Sequence, residues 1–264
     1  ELDPLSRDSY GPVLAAADPF EVNYLYADVF LPVGVIRVGR QPKKYGAGVP
    51  SHDGGPHNRW GVSRNSDAAD RILFGTKLDE MLYTLMYGYH HVSDPSLETG
   101  LIMGVFYDWL VQDELYVDDD DLAQFGGVLD FRRKRADWFG WNWRDVQISG
   151  GAVYLSNKKF ETSIIGFPST VAATVGDLAM NFNYMHINGQ TREVSEGFAV
   201  LAGTDPQLQD IRTHGFQAVF DYWLGPVMLT MEFDVATGDD DPRVTTPLTG
   251  FNFARDMNVG LLLF

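Results

Sequence analysis

Charged and amide side chains recur at alternating positions within several apolar segments of this sequence. Arg37 and Gln41 share one parity in such a segment, and Arg71 opens a later one. Carboxylates take the polar positions of other segments, namely Asp108, Asp130, Asp221, Glu232 and Asp234. Arginines on one wall of a pore and carboxylates on the others would set a transverse field that selects solutes by charge. The pattern therefore indicates charge selection, unless these side chains only pair with one another and fill a narrow interior.

Sequence motifs for catalysis are absent. The chain has no Gly-x-Ser-x-Gly, no phosphate loop, no His-Glu-x-x-His and no dinucleotide fingerprint. It has no cysteine, which removes thiolate chemistry and cysteine-based zinc sites. We therefore expect no enzyme activity, no catalytic residue, no cofactor and no metal centre, although a metal site in the loop with His52, Asp53 and His57 stays open.

Two acidic runs, Asp118–Asp121 and Asp239–Asp241, raise the question of calcium binding. Hard cations bind clustered carboxylate oxygens. Neither run has the ordered spacing and the glycine of an EF-hand loop. We therefore expect solvated loops, with divalent bridging to an anionic lipopolysaccharide surface left open.

The clearest structural element is a hairpin between His214 and Asp241. Apolar and polar residues alternate along both halves, and Leu224-Gly225-Pro226 lies between them. Successive side chains of a strand point to opposite faces, so each strand has one apolar and one polar face. The other end opens into a long acidic loop. Short turns at one side and long loops at the other are typical of outer-membrane β-barrels.

The same alternation predicts further strands along most of the chain. They cover about residues 20–31, 35–41, 69–77, 81–92, 100–113, 122–134, 147–156, 159–167, 174–187, 213–224, 226–237 and 255–264. Short connections at 78–80 and 157–159 mostly alternate with long ones at 42–68, 114–121, 135–146, 188–212 and 238–254. This is the order of an up-and-down meander of about 12 strands or more.

An antiparallel β-sandwich would also alternate, but with its apolar face inward. The long runs, the aromatic residues near their ends and the apolar face that continues through all of them favour a barrel. No segment approaches the ~18 apolar residues of a membrane helix. A net charge of −16 argues against nucleic acid as a partner.

We therefore predict an all-β fold, an antiparallel up-and-down transmembrane β-barrel with long loops on one side and short turns on the other. Residues 1–264 form a single domain, in which 1–19 are an irregular entry segment or loop. The chain begins at Glu1 rather than Met, and its last run ends at Phe264. Truncation at one or both ends stays open.

Several segments carry a resemblance to a known family: Leu31-Pro32-Val33-Gly34, Arg37-Val38-Gly39-Arg40-Gln41-Pro42, Tyr45-Gly46-Ala47-Gly48, Asp70-Arg71-Ile72-Leu73-Phe74 and Asp234-Val235-Ala236-Thr237-Gly238-Asp239-Asp240. Together they resemble bacterial outer-membrane β-barrels of the porin and alginate-export kind. The resemblance covers about a quarter of the chain in motif terms. It implies a location in the bacterial outer membrane, and it places Lys43, Lys44 and Tyr45 in a loop at the constriction.

Two functions follow from these expectations. The first is a porin-like channel for passive diffusion or export of polar solutes, with lumen residues Arg37, Gln41, Arg71, Asp108, Asp130, Asp221, Glu232 and Asp234. The second is a non-conducting structural barrel that anchors a larger envelope assembly, because a barrel of this size can still be filled by its own side chains. The expected partners are outer-membrane lipid and lipopolysaccharide, polar small molecules, and envelope proteins or further copies of the chain.

The parity of the strands gives a first prediction. Val105, Tyr107, Phe220, Tyr222, Leu229 and Met231 should face lipid, whereas Asp108, Asp221, Thr230 and Glu232 should face the interior. Single cysteines can test this cleanly because the chain has none of its own. In membranes, a membrane-impermeant thiol reagent should label the second set and not the first. Labelling at positions 220, 222, 229 and 231 with protection at 221, 230 and 232 would contradict the orientation.

Overall fold

The chain folds into one antiparallel sheet. A computed structural model describes residues 24–43, 68–88, 98–112, 122–203, 205–240 and 247–253. In these ranges, ten strands pair in strict chain order from the first to the tenth, and two helices lie in the connections. This confirms the all-β, antiparallel fold class.

The elements have the following bounds. The strands are β1 Leu25–Leu31, β2 Gly34–Pro42, β3 Ala68–Lys77, β4 Gly100–Gln112, β5 Leu122–Trp138, β6 Trp141–Asn157, β7 Thr162–Val175, β8 Leu178–Thr191, β9 Gln209–Leu224 and β10 Val227–Ala236. Helix α1 covers Leu78–Tyr87 and joins β3 to β4, and helix α2 covers Glu193–Ala202 and joins β8 to β9. Neither helix, nor any other in the described ranges, is long and apolar enough to cross a membrane.

The strand predicted at 81–92 is wrong over residues 81–87, and residues 89–92 lie outside the described ranges. Instead Leu78–Tyr87 form helix α1, and the turn predicted at 78–80 is the first turn of that helix. Leucine and methionine make up half of this stretch, and both favour a helix. Asp79 and Glu80 lie in the first turn, where acidic side chains stabilise the positive end of the helix dipole. The alternation of apolar residues there was therefore a misleading signal.

The prediction of a long connection at 135–146 is also wrong, because β5 and β6 continue into this range. Trp138 pairs with Trp141 across a two-residue turn. The turn residues Phe139 and Gly140 have φ values of 56° and 78°. Two positive φ angles are what a type I′ hairpin turn requires. Phenylalanine rarely occupies such a position, so the sequence lacked the usual Asn-Gly signal.

The connection predicted at 188–212 is shorter and more ordered than expected. Strand β8 extends to Thr191 and β9 begins at Gln209, with α2 between them. Of the 12 predicted strands, ten are present, and the described part of the one at 81–92 is a helix. The last, at 255–264, lies outside the described residues, as do 20–23 of the first.

Short and long connections separate to the two sides of the sheet. On the turn side, residues 32–33, 139–140, 176–177 and 225–226 join adjacent strands, and the fifth connection contains α1. On the loop side, the connections are 43–67, 113–121, 158–161 and 192–208. Among the described strands, β1 pairs only with β2 and β10 only with β9. The order is that of a meander, and closure would need a further pairing at these two edges.

In a soluble β-sandwich the apolar face of each sheet is buried and the polar face is exposed. In this sheet the exposure of the two faces is reversed. On β10, the apolar side chains are 51% to 55% exposed: Val227, Leu229, Met231, Phe233 and Val235. Thr230, Glu232 and Asp234 alternate with them and are more shielded. Within the described ranges there is no second sheet. The polar face is thus shielded although no apolar layer from the described residues covers it.

Candidate functional site on the polar face

Cross-strand register defines the shielded polar face. One line of partners runs from β5 to β10 through Asp130, Ser149, Thr170, Asn183, Gln217 and Asp234. A second line joins Arg71, Asp108 and Gln124 across β3, β4 and β5. Because side chains at paired positions point to the same face, each line brings polar groups from distant parts of the sequence together.

An ion pair between Arg71 and Asp108 lies at the most shielded point of this face. Arg71 Nε donates to Asp108 Oδ1 at 2.6 Å, and Nη2 donates to Oδ2 at 2.8 Å. The side chains are 6% and 0% exposed, respectively. A two-pronged contact of this kind is the strongest geometry for an arginine and a carboxylate. It compensates the cost of burying both charges.

The surroundings of this pair fix its position. The Arg71 guanidinium carbon lies 4.2 Å from the centre of the Phe106 ring. Gly126 on β5 pairs with Phe106 on β4, and a Cβ atom at Gly126 would lie 2.5 Å from Phe106 Cζ. Gln41 is buried and its Nε2 donates to the Arg71 carbonyl at 3.1 Å. The glycine thus provides the space for the ring, which in turn packs against the arginine.

Arg37 and Asp130 also form pairs on this face. Arg37 Nε donates to Asp28 Oδ1 at 2.6 Å across β1 and β2. Asp130 Oδ2 accepts from Arg132 Nε at 2.8 Å and from Gln147 Nε2 at 3.1 Å. The pairs at Asp108, Asp28 and Asp130 all lie on strands β1 to β5. In this half of the polar face, these three arginine–aspartate pairs therefore balance charge locally.

A ladder of uncharged polar groups crosses the other half of the sheet. Thr170 Oγ1 donates to Asn183 Oδ1 at 3.0 Å, and Asn183 Nδ2 approaches Gln217 Oε1 at 3.4 Å. Gln217 Nε2 then donates to Glu232 Oε1 at 2.8 Å. Thr170, Asn183 and Gln217 are all buried. The ladder orients amide donors towards the Glu232 carboxylate and satisfies groups that would otherwise be costly to bury.

Carboxylates end this ladder on β9 and β10. Asp221 Oδ1 accepts from Thr230 Oγ1 at 2.7 Å. Glu232 and Asp234 lie two residues apart on the same face of β10. Neither of these two forms an ion pair with a residue of the described chain. The polar face is therefore electrically uneven, with paired charges at one edge and negative charge at the other.

The loop residues expected at the constriction are only partly described. Lys43 follows β2 and is buried. Lys44 and Tyr45 lie outside the described residues. Within the described ranges, no group of three or more histidine, aspartate or glutamate side chains could hold a metal ion. His52, Asp53 and His57 again lie outside those ranges.

The sequence pattern identified the charged residues of the polar face but not the residues that contact them. Asp28, Phe106 and Arg132 were not singled out, although each lies on the polar face beside a predicted residue. The signal for Asp28 was its place in an apolar run, four residues before Pro32 of the first tight turn. For Asn183 and Gln217, polar parity was visible, but the register that joins them was not. Register between strands distant in sequence depends on the whole sheet.

Comparisons with known proteins identify no matching family model, no matching curated protein and no matching solved structure. The interpretation of this face therefore depends on its own geometry.

The difference between a buried and an exposed pair gives a prediction about stability. Arg71→Met leaves Asp108 buried without its counter-charge and should lower the free energy of unfolding by about 3–5 kcal/mol. The control Arg37→Met breaks a pair whose side chains are 35% and 25% exposed. It should cost at most about 1 kcal/mol.

Urea unfolding of the unaltered protein and both variants under identical conditions would measure both losses. Combining Arg71→Met with Asp108→Leu should recover much of the lost stability, because no charge is then left buried. Equal losses for Arg71→Met and Arg37→Met would contradict the central position assigned to the buried pair.

Proposed function

We propose that the sheet closes into an outer-membrane β-barrel that works as a porin-like channel for polar solutes. The observation that carries this proposal is the reversed character of the two faces. Apolar side chains such as Leu229 and Phe233 are exposed, while Asp108, Asn183 and Gln217 are shielded. A lipid-facing band of apolar residues around a polar interior is the arrangement of bacterial membrane barrels.

The distribution of connections supports the same proposal. Four two-residue turns lie on one side of the sheet, while the loop side has longer connections. Bacterial membrane barrels have short turns on the periplasmic side and longer loops outside. By this analogy, the turn side with α1 faces the periplasm, and the loop side faces the exterior and lipopolysaccharide.

Charge on the polar face favours cations as the preferred solutes. Arg37 and Arg71 are each neutralised by an aspartate on an adjacent strand. Glu232 accepts a hydrogen bond from Gln217, and neither Glu232 nor Asp234 has an ion pair within the described chain. Negative groups that line a pore attract cations and repel anions. The β10 carboxylates would therefore dominate the field in the lumen.

The alternative is a closed structural barrel that anchors an envelope assembly. It is favoured by one specific observation, the number of buried and mutually bonded polar groups between Gln41 and Gln217. Side chains that satisfy one another can fill a narrow barrel completely. In that case the partners would be envelope proteins or further copies of the chain, in addition to lipid.

Reversal potentials under a KCl gradient across a planar bilayer would test the channel and its selectivity. The unaltered protein should conduct and prefer potassium over chloride. Glu232→Gln combined with Asp234→Asn should reduce that preference because two negative charges leave the lumen. Arg37→Gln should increase it because Asp28 loses its counter-charge. Both shifts should shrink at 1 M salt, where the screening length is about 3 Å.

A matched control removes two negative charges from exposed ion pairs outside the polar-face network. Glu98→Gln and Glu161→Gln affect the pairs with Lys134 and Arg192, respectively. This double variant should keep the selectivity of the unaltered protein. Absence of conductance in the unaltered protein would favour the structural barrel. Unchanged selectivity in the conducting β10 variant would remove those carboxylates from the path.

A further inference from the structure

Three exposed arginines lie on one face of the β5–β6 hairpin, close to its turn. Arg135 on β5 and Arg144 on β6 occupy directly opposite positions in the ladder, and Arg133 lies two residues before Arg135. Paired positions share one face of a sheet, as do positions two residues apart in a strand. The three side chains therefore form one arginine cluster, in a chain whose net charge is −16.

No carboxylate neutralises the arginine cluster within the described chain. None of its members forms an ion pair there. Arg144 Nη2 donates to the carbonyl of Gly176 at 2.5 Å, and this acceptor carries no charge. Asp137 lies on the same face, but its Oδ1 accepts from Asn142 Nδ2 at 3.1 Å. Like charges at directly opposite positions destabilise strand pairing, so an anion between Arg135 and Arg144 would remove a repulsion.

The arginine cluster lies where the exposed apolar part of the same face ends. Phe125 and Ile148 belong to this part and are 58% and 47% exposed. The stretch from Phe125 to Arg133 has the length that a tilted strand needs to cross a bilayer, about 9–11 residues. Arg135 and Arg144 form the next row but one after Ile148 and its partner. In a membrane-embedded sheet, this row lies at the level of the lipid headgroups.

The position of the hairpin turn determines which headgroups are within reach. Phe139 and Trp141 lie at this turn and are 96% and 63% exposed. Aromatic side chains are enriched at the two interfaces between membrane and water. The turn belongs to the side of the sheet that faces the periplasm in the proposed barrel, away from lipopolysaccharide. The lipids on that side are phospholipids, and their anionic members attract arginine.

We propose that Arg135 and Arg144 bind the phosphate of an anionic phospholipid such as phosphatidylglycerol, and that Arg133 adds positive charge beside it. Guanidinium groups bind phosphate oxygens through charge-assisted hydrogen bonds. Phosphatidylethanolamine carries an ammonium next to its phosphate, so it gains less from three positive charges. The inference rests on the part of the proposed function that places the sheet in a membrane, and it does not require that the barrel conducts.

Fluorescence quenching in phosphatidylethanolamine vesicles tests the proposal. The full chain carries one fluorophore, either on Phe139→Cys at the hairpin turn or on Ser156→Cys on the same face at the loop end, and has no other cysteine. The quencher is a small fraction of spin-labelled phosphatidylglycerol or spin-labelled phosphatidylethanolamine. Phosphatidylglycerol should be enriched beside position 139 by about fivefold or more, the factor expected for one arginine near an anionic lipid. At position 156 the two lipids should quench equally.

Variants assign the preference at position 139 to the arginine cluster. Arg135→Gln combined with Arg144→Gln should abolish it. Arg135→Gln alone should reduce it, and this change leaves the contact between Arg144 and Gly176 in place. The matched control, Arg192→Gln with Arg212→Gln, also removes two positive charges, but at the loop side, and should keep the preference. Circular dichroism of each variant should match that of the unaltered protein.

The outcomes separate this inference from the proposed function. Quenching at position 139 by both lipids without preference would overturn the inference and leave the membrane barrel intact. A preference that persists in both Arg135→Gln and the double variant would do the same. Absence of quenching by either lipid at both positions would show that the sheet is not in the bilayer, and it would overturn the inference together with the barrel.

Discussion

Asp108 has no exposed side-chain surface, yet it lies in a single-layer sheet whose described part has no covering second sheet. Burying a carboxylate is costly unless a partner compensates the charge. Arg71 does so through two hydrogen bonds, and Phe106 and Gln41 hold that arginine in place. The requirement that shielded polar groups satisfy one another governs the rest of the polar face, from the Arg37–Asp28 pair to the ladder that ends at Glu232.

The same requirement explains how charge is distributed. On the polar face, Arg37 of β2, Arg71 of β3 and Arg132 of β5 each pair with an aspartate on the same strand or a neighbouring one. On β8 and β9, amide side chains take over, and Asn183 and Gln217 bond in sequence across the sheet. Amide groups can pass a hydrogen bond along without adding charge. The carboxylates of β10 are left to determine the electrostatic character of that edge.

Much of the fold could be predicted from the sequence because apolar and polar residues alternate along a strand that has one apolar and one polar face. The hairpin at Gly225-Pro226 and the polar positions at Asp108 and Glu232 follow from that pattern alone. Helix α1 was missed because its apolar residues fit both the two-residue period of a strand and the 3.6-residue period of a helix. The turn at Phe139 was missed because phenylalanine rarely adopts its positive φ angle. The site was only partly visible. Pairing Arg71 with Asp108 needs a register between β3 and β4 that includes an irregularity after Asp70.

Closure of the sheet is the central claim, and the distance between its edge strands tests it most directly. Spin labels on cysteines at Val29 in β1 and Leu229 in β10 lie two residues from their tight turns, at similar heights in the sheet. Neighbouring strands lie about 4.8 Å apart, so an open ten-stranded sheet would separate the labels by about 40 Å. Pulsed electron–electron double resonance in lipid should give a single distance between the two labels, below about 25 Å, if the edges meet in a barrel. A distribution centred near 40 Å would show an open sheet and contradict the account.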